Sequence, residues 1–205
     1  MIPLRFDGPE RATDTIVLAH GAGAPMNSPF LEHFAGGLAA RGLRVVRFEF
    51  PYMHARREGR RPPPDREPVL LNHWRAVLGV LHGVKSPVIG GKSLGGRMAS
   101  LLADEMNARG LVCLGYPFHP PGKPQRLRVT HLEKLGTSTL VVQGTRDALG
   151  SREEVGEYRL SPSIRIHWIE DGDHSLRPRA RSGRTERQNL DEAVDAVAAF
   201  VGALG

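Results

Sequence analysis

Residues 87–97 of the chain read PVIGGKSLGGR. The first half is a short apolar run typical of a buried strand, and the second half begins a helical pattern. Ser93 lies at the junction, within the Gly-x-Ser-x-Gly sequence of residues 91–95. Where a serine occupies so sharp a turn, the residues two before and two after it must be small, and both are glycine here. The pattern therefore predicts a strained strand-to-helix turn with Ser93 at its tip.

The same alternation of apolar runs and helical patterns extends in both directions from this turn. Six runs predict strands, at residues 15–20, 43–50, 87–91, 111–115, 138–143 and 164–169. Four segments predict helices, at residues 28–41, 69–82, 94–107 and 186–204. Strands separated by helices form a mostly parallel sheet with helices on both faces. We therefore predict an α/β fold with about six to seven strands.

The composition is that of an ordinary globular protein. With 205 residues, 40% hydrophobic and 24% charged, the chain is long enough for one core and short for two, so a single domain over residues 1–205 is predicted. The one cysteine, Cys113, allows no internal disulfide. The N-terminus lacks a signal-peptide layout, and no apolar run approaches the roughly 20 residues that span a bilayer. We expect a cytoplasmic protein without a membrane segment.

Ser93 needs a partner to become reactive, because a serine hydroxyl is a poor nucleophile without a base. In proteins built around such a turn, an acid and then a histidine follow the serine, each after a strand. His174 comes a few residues after the last predicted strand and is the predicted base. His167 lies inside that strand and is interpreted as structural, while His119 and His131 are expected on the surface.

Asp147 is the predicted acid, because it stands just beyond the strand predicted at residues 138–143. Asp171 and Asp173 are nearer to His174 in sequence, but so short a loop makes it hard for either to reach the imidazole from behind. We interpret both as turn residues. The predicted triad is therefore Ser93, Asp147 and His174.

Acyl transfer also needs donors for an oxyanion. The backbone N–H of Leu94 is one candidate, because it opens a helix, where amides are unpaired and the helix dipole is favourable. The loop of residues 20–23, His-Gly-Ala-Gly, is expected to supply the other. We favour the N–H of Ala22, with Gly23 as the alternative, and a plain glycine turn also explains the loop. His20 is interpreted as the residue that shapes it.

Basic residues dominate two long polar segments, 52–67 and 175–187, and the net charge is +6 with a pI of about 10.1. Both segments are predicted as loops that leave the carboxyl ends of strands and border the site. Their arginines are explained either by solvation or by an anion-attracting surface. The candidates for contact with an anionic substrate are Lys92, Arg56, Arg57 and Arg61. An ion pair or a packed aliphatic stem explains Lys92 equally well.

The motifs together resemble a known family. They lie at residues 18–26 (LAHGAGAPM), 90–97 (GGKSLGGR), 143–147 (QGTRD) and 172–174 (GDH). These are similar to the α/β-hydrolase superfamily, and most similar to its small, cap-less, dienelactone-hydrolase-like bacterial branch. That branch also resembles hydrolase-like domains of a eukaryotic testis-expressed protein and of a histone acetyltransferase complex subunit. The resemblance covers nearly the whole chain and implies a single α/β-hydrolase domain without a cap domain.

The resemblance also implies the triad at Ser93, Asp147 and His174, but it implies a substrate only weakly. Dienelactone hydrolases use a cysteine nucleophile and position 93 is serine, so their lactone substrate does not carry over. We hypothesise a serine hydrolase that cleaves an ester, thioester or related acyl bond of a small molecule, without metal or organic cofactor. The alternatives are a non-catalytic binding or scaffold protein on the same fold and a nucleic-acid binder. The last is disfavoured because neither arginine-rich segment is a basic helix with interleaved aromatics.

Overall fold

Seven strands and six α-helices alternate in the computed structural model, which describes residues 2–81, 83–84 and 86–205. The strands are β1 (Leu4–Asp7), β2 (Thr15–Ala19), β3 (Arg44–Phe48), β4 (Val88–Lys92), β5 (Gly110–Leu114), β6 (Thr139–Gly144) and β7 (Ile164–Ile169). The helices are α1 (Pro29–Ala40), α2 (Pro51–Arg57), α3 (Glu67–Val80), α4 (Leu94–Ser100), α5 (Arg152–Gly156) and α6 (Glu186–Gly202). Two short 3₁₀ helices, Leu132–Lys134 and Ala180–Ser182, complete the described elements.

The strands form one sheet in the order β1-β3-β2-β4-β5-β6-β7. Only β1 is antiparallel to its neighbour, and every other pairing is parallel. The six predicted strands are all present, each within two residues of its predicted bounds. The carboxyl ends of β2, β4, β5, β6 and β7 therefore lie along one edge, which is where ligands bind in open α/β sheets.

Helices cover both faces of the sheet, because successive strand residues point to opposite sides. In β2, Ile16 and Leu18 pack on the face covered by α1 and α6, whereas Val17 and Ala19 pack on the face covered by α3 and α4. All four side chains are fully buried. The α1 helix begins at the predicted cap, since the Ser28 hydroxyl accepts a hydrogen bond from the Leu31 N–H. The predicted two-sided core is confirmed.

Three of the predicted elements have different bounds in the structure. Residues 52–57, predicted as part of a loop, belong to α2, because Pro51 starts the helix and the buried side chains of Tyr52 and Met53 anchor it. The helix predicted over 94–107 ends at Ser100, after which residues 101–107 continue as turns. The helix predicted over 69–82 runs from Glu67 to Val80, and its predicted last residue, His82, lies outside the described residues.

No inserted domain interrupts the alternation in the described ranges, and the longest connection between strands without an α-helix spans 115–138. The prediction of a fold without a cap is confirmed. Among the same residues, no helix has both the length and the apolar character that crossing a membrane requires.

Candidate active site

Ser93 occupies the sharp turn between β4 and α4, with φ 49° and ψ −111°. Non-glycine residues avoid this region of backbone space, so the conformation is strained and is maintained by its surroundings. A Cβ atom on Gly91 or Gly95 would clash with the carbonyl oxygen of Ala19 in β2, and one on Gly96 would lie 2.7 Å from the Gly91 oxygen. The glycines therefore allow α4 to start directly against the sheet, with the Ser93 side chain at the tip of the turn.

The structure brings Ser93, His174 and Asp147 together in one hydrogen-bonded chain. The Ser93 Oγ lies 2.9 Å from the His174 Nε2, and the His174 Nδ1 lies 2.8 Å from the Asp147 Oδ2. Asp147 is fully buried, whereas His174 is partly exposed. The three residues come from the loops that follow β4, β6 and β7. A nucleophile in reach of a base that a third group orients is the arrangement used for covalent catalysis.

Gln143 completes the surroundings of the acid, and the sequence did not reveal this role. Its fully buried side chain donates from Nε2 to the Asp147 Oδ2 at 2.9 Å and accepts the Tyr116 N–H at 2.7 Å. The Leu149 N–H donates to the Asp147 Oδ1 at 2.8 Å. The Gln143 amide nitrogen and the Leu149 N–H can only donate, so both fit the acceptor oxygens of a carboxylate. A polar residue inside a strand, four positions before the acid, was the available signal.

The loop that carries His174 is stabilised by the two neighbouring aspartates, as their interpretation as turn residues requires. The Asp173 Oδ1 accepts the N–H groups of Ser175 and Arg177, at 2.7 and 2.9 Å. Asp171 pairs with the guanidinium of Arg179, whose hydrogen bond lowers the pKa of this carboxyl to about 2. Neither carboxylate bonds the imidazole of His174, which instead faces Asp147.

His20 shapes the loop after β2. Its Nε2 accepts the Phe50 N–H at 3.0 Å, which leaves the Nδ1 to donate to the Gly21 carbonyl at 2.6 Å. Burial lowers the pKa of His20 to about 4, so the ring is neutral at pH 7 and matches this donor-acceptor pattern. The position of His20 fits its interpretation as the residue that shapes the loop.

The expected oxyanion donors lie next to Ser93. A Cβ atom on Gly21 would approach the Ser93 Cβ to 3.8 Å, so the loop lies against the serine. The Ala22 carbonyl accepts hydrogen bonds from the Tyr52 hydroxyl and from Arg56, both at 3.2 Å, which orients the peptide that carries the Gly23 N–H. Within the described part of the chain, the N–H groups of Leu94, Ala22 and Gly23 donate to no protein acceptor. All three amides are thus free to receive a substrate oxygen.

Arg56 and Arg57 of α2 have hydrogen-bonding partners within the protein. Besides the Ala22 carbonyl, Arg56 bonds the Pro62 carbonyl at 2.9–3.0 Å. Arg57 forms an ion pair with the buried carboxylate of Glu49 at 2.7 Å. Arg61 is exposed, on a surface depression that it shares with Arg60. None of the predicted contacts Arg56, Arg57 and Arg61 lines the cavity, and their contact with a substrate stays a prediction.

The cavity at Ser93 has a volume of about 600 Å³. Its lining includes Phe30, Leu31, Lys92, His174, Arg177, Glu186 and Leu190. The Lys92 Nζ donates to the His174 carbonyl and lies 5.2 Å from the centre of the Phe30 ring. A Cβ atom on Gly115 would lie 2.7 Å from this Nζ, so the ammonium occupies the space that the glycine leaves behind His174. Burial lowers the pKa of Lys92 to about 8.

The lowered pKa of Lys92 is expected to make the stability of the folded protein depend on pH in the alkaline range. The folded-state pKa of about 8 lies below the ordinary value of 10.5, so between these pH values the unfolded chain binds more protons. Wild-type stability relative to Lys92→Met is therefore expected to rise from pH 8 to pH 10, measured as Tm or denaturant midpoint. Lys134→Met, which removes an exposed lysine, is the control. A relative stability that falls over this range contradicts the buried ammonium.

Two other histidines are less exposed than the sequence predicts. His119, in the loop after β5, is only 2% exposed, and its Nδ1 lies 3.0 Å from the Pro120 carbonyl oxygen. His131 is partly buried, with its Nε2 2.9 Å from the Ser100 hydroxyl. The prediction of surface positions is wrong for His119 and only partly right for His131.

Comparison with known proteins identifies the class to which this fold and site belong. The family model described as an alpha/beta hydrolase domain matches residues 12–202, and the chain belongs to this family. The prediction of a single α/β-hydrolase domain is thereby confirmed. The narrower resemblance to the dienelactone-hydrolase-like branch and its eukaryotic counterparts stays a prediction from the motifs.

Three solved structures share the fold. A lid-less serine hydrolase from Xanthomonas campestris is 18% identical, with TM-score 0.71, over 97% of this chain and 87% of that one. A serine hydrolase homologue from Coxiella burnetii is 18% identical, with TM-score 0.74, over 98% and 91%. Est1E from Butyrivibrio proteoclasticus, with ferulic acid bound, is 15% identical, with TM-score 0.75, over 99% and 95%. At these identities the likeness concerns the fold alone.

Proposed function

We propose that this protein is a serine hydrolase that cleaves an ester, thioester or related acyl bond of a small molecule through an acyl-enzyme on Ser93. The observation that carries the proposal is the unbroken hydrogen-bonded chain from Ser93 through His174 to the buried Asp147. This chain opens into a cavity of about 600 Å³, within the range that accommodates small molecules. Membership of the alpha/beta hydrolase domain family supports the same conclusion.

In this mechanism the Ser93 Oγ attacks the substrate carbonyl carbon while the His174 Nε2 accepts its proton. Asp147 keeps the His174 Nδ1 protonated, so that Nε2 is free to act as the base, and its negative charge stabilises the imidazolium. His174 then donates the proton to the leaving group, which departs and leaves the acyl group on Ser93. A water molecule then attacks the ester formed on Ser93 while His174 accepts its proton, and His174 returns that proton to the Ser93 Oγ as the acid is released.

The negative charge on the carbonyl oxygen needs donors that are in place before the reaction. The N–H groups of Leu94 and Ala22, with Gly23 as the alternative, fit this requirement because they have no acceptor among the described protein groups. Removing one such donor in other enzymes costs about 10²–10³ in kcat. Hydrogen bonds from Tyr52 and Arg56 to the Ala22 carbonyl orient the peptide that carries the Gly23 N–H. We assign Arg56 to this supporting role.

The cavity supports an acyl group recognised by apolar contact. Phe30, Leu31 and Leu190 form apolar parts of its wall. The cations at this cavity already have partners, since Lys92 donates to the His174 carbonyl and Arg177 pairs with Glu186 at 2.9 Å. An anionic substrate is compatible with the basic surface. Inside the cavity, shape and apolar contact contribute more to substrate recognition than charge does.

Labelling with a fluorophosphonate probe tests the proposal, because the probe reacts with activated serines. We expect the folded wild-type protein to be labelled at Ser93, identified by peptide mass spectrometry, and to hydrolyse p-nitrophenyl acetate and butyrate. Heat-denatured protein is the control, since it retains the serine but not the hydrogen-bonded chain. A folded wild type that is neither labelled nor active would instead be a non-catalytic binding protein on a hydrolase fold.

A further inference from the structure

A second cavity, of about 530 Å³, lies between α4 and the loop that follows β5. Four of its lining residues are cationic, namely Arg97, Lys123, Arg126 and Arg128. None of the four lines the cavity at Ser93. The proposed hydrolysis uses none of them, so this cationic cluster needs a separate explanation.

The charge of the cluster is poorly neutralised within the protein. The Arg97 Nη2 pairs with Glu67 at 2.7 Å. Among the described residues, no other carboxylate lies within ion-pair distance of the four cations. Arg97 is 19% exposed, and its Nε is buried without a hydrogen-bond acceptor in the described part of the chain. A buried guanidinium N–H without an acceptor is unusual in a native protein and calls for an explanation.

The four positive charges of the cluster lie close together, and their mutual repulsion raises the free energy of the folded protein. Burial, together with the positive charges of Arg97 and Arg126, lowers the pKa of Arg128. Repulsion of this kind is relieved by an anion placed between the charges.

The protein backbone fixes the basic residues around the cavity. Successive turns of the loop are closed by hydrogen bonds from the Lys123 N–H to the Pro120 carbonyl, at 3.1 Å, and from the Arg126 N–H to the Lys123 carbonyl, at 3.0 Å. The Arg128 N–H donates to the Phe118 carbonyl at 2.7 Å. Arg97 projects from the opposite wall, on α4. The cluster is therefore positioned by structured backbone on two sides.

We propose that this cavity binds a multivalent oxyanion, such as the phosphate or pyrophosphate group of a small molecule. A guanidinium presents parallel N–H donors that match two oxygens of a phosphate, and three of the four cations are arginines. The concave shape favours one compact anion over a nucleic acid, whose phosphates are strung along an extended backbone. The site is independent of the proposed hydrolase activity.

Thermal-shift and calorimetric titrations with inorganic phosphate and with pyrophosphate test the site at constant ionic strength. At about 100 times its Kd, pyrophosphate is expected to raise the wild-type Tm by about 5 °C or more, whereas sodium chloride of equal ionic strength does not. The double variant Arg126→Gln/Arg128→Gln is expected to bind pyrophosphate at least about 10-fold more weakly. It should fold, because it removes like charges and retains most of the side-chain volume.

The matched control is Arg60→Gln/Arg159→Gln, which removes the same charge from exposed positions outside the cavity. Its affinity for pyrophosphate is expected to equal that of the wild type. Equal weakening in both double variants, or pyrophosphate binding no tighter than chloride, overturns the proposal. Preferential binding of a single-stranded oligonucleotide, lost in the Arg126→Gln/Arg128→Gln variant, would assign the cluster to nucleic acid and also overturn it.

Discussion

Replacement of Ser93 by alanine is expected to lower kcat for p-nitrophenyl acetate by at least about 10⁴-fold and to abolish fluorophosphonate labelling. Loss of the nucleophile in a comparable triad costs about 10⁶ in kcat, and the residual rate comes from the oxyanion donors and from binding. The Oγ of Ser93 is the hydroxyl at 2.9 Å from the His174 Nε2. Alanine also removes the only group through which an acyl-enzyme could form at this turn.

Ser138→Ala is the control for this variant. Ser138 is exposed and precedes β6, at the edge of the sheet opposite to the carboxyl ends. This variant is expected to retain wild-type labelling and kcat. Because Ser93→Ala keeps the backbone of the turn, the loss should occur without a large fall in Tm. Activity above about a tenth of the wild-type value in Ser93→Ala would show that another group performs the attack.

Replacement of Asp147 by asparagine is expected to lower kcat by about 10⁴-fold, as in other triads. The carboxylate accepts from Gln143 and His174 at Oδ2 and from the Leu149 N–H at Oδ1. In either orientation, an asparagine amide turns its NH₂ group toward at least one of these donors. It also lacks the negative charge that stabilises the imidazolium of His174. The nucleophile and the oxyanion donors remain, so slow labelling of Ser93 is expected to persist.

Asp104→Asn is the matched control, because the Asp104 carboxylate also accepts three hydrogen bonds, from Gly136 and Thr137. It therefore reproduces the change from carboxylate to amide at a surface site away from Ser93. We expect a similar or smaller fall in Tm for Asp104→Asn, with kcat unchanged. If Asp147→Asn and Asp104→Asn retain the same kcat, Asp147 has no role in orienting or stabilising His174.

Much of the fold was predictable because it depends on local patterns. Mostly apolar runs bounded by turn residues specify strands that are buried on both faces, and β2 to β6 have this pattern, whereas the edge strand β7 is only partly buried. The short edge strand β1 was missed, since only four residues pair there and two are exposed. The α2 helix was also missed, because its basic residues resemble a solvated loop and burial of Tyr52 and Met53 is a tertiary effect.

The candidate site also has residues that were predictable from the sequence and one that was not. Ser93 was predictable because its turn requires glycines at fixed offsets, and Asp147 and His174 because each follows a strand whose end lies at one edge. By contrast, Gln143 was not predictable as a partner of the acid, since only folding brings its amide within 2.9 Å of the Asp147 carboxylate.

The contacts of the basic residues were not predictable from the sequence. Charge and position made the arginines near position 56 candidates for a substrate contact or for a solvated surface. Only the structure shows that Arg57 pairs with Glu49 and that Arg56 bonds the Ala22 carbonyl. The cationic cluster around Arg128 was not apparent, because its members come from α4 and from a separate loop.

Sequence alone was therefore sufficient for the alternation of strands and helices and for the turn at Ser93, since backbone sterics and local burial specify these features. The positions of Asp147 and His174 after later strands were predictable from the known order of serine, acid and histidine around such a turn. The tertiary structure alone decided which donors surround Asp147, where Lys92 places its ammonium and which cations share a cavity. Those outcomes depend on contacts between residues far apart in the chain, and no local pattern encodes such distances.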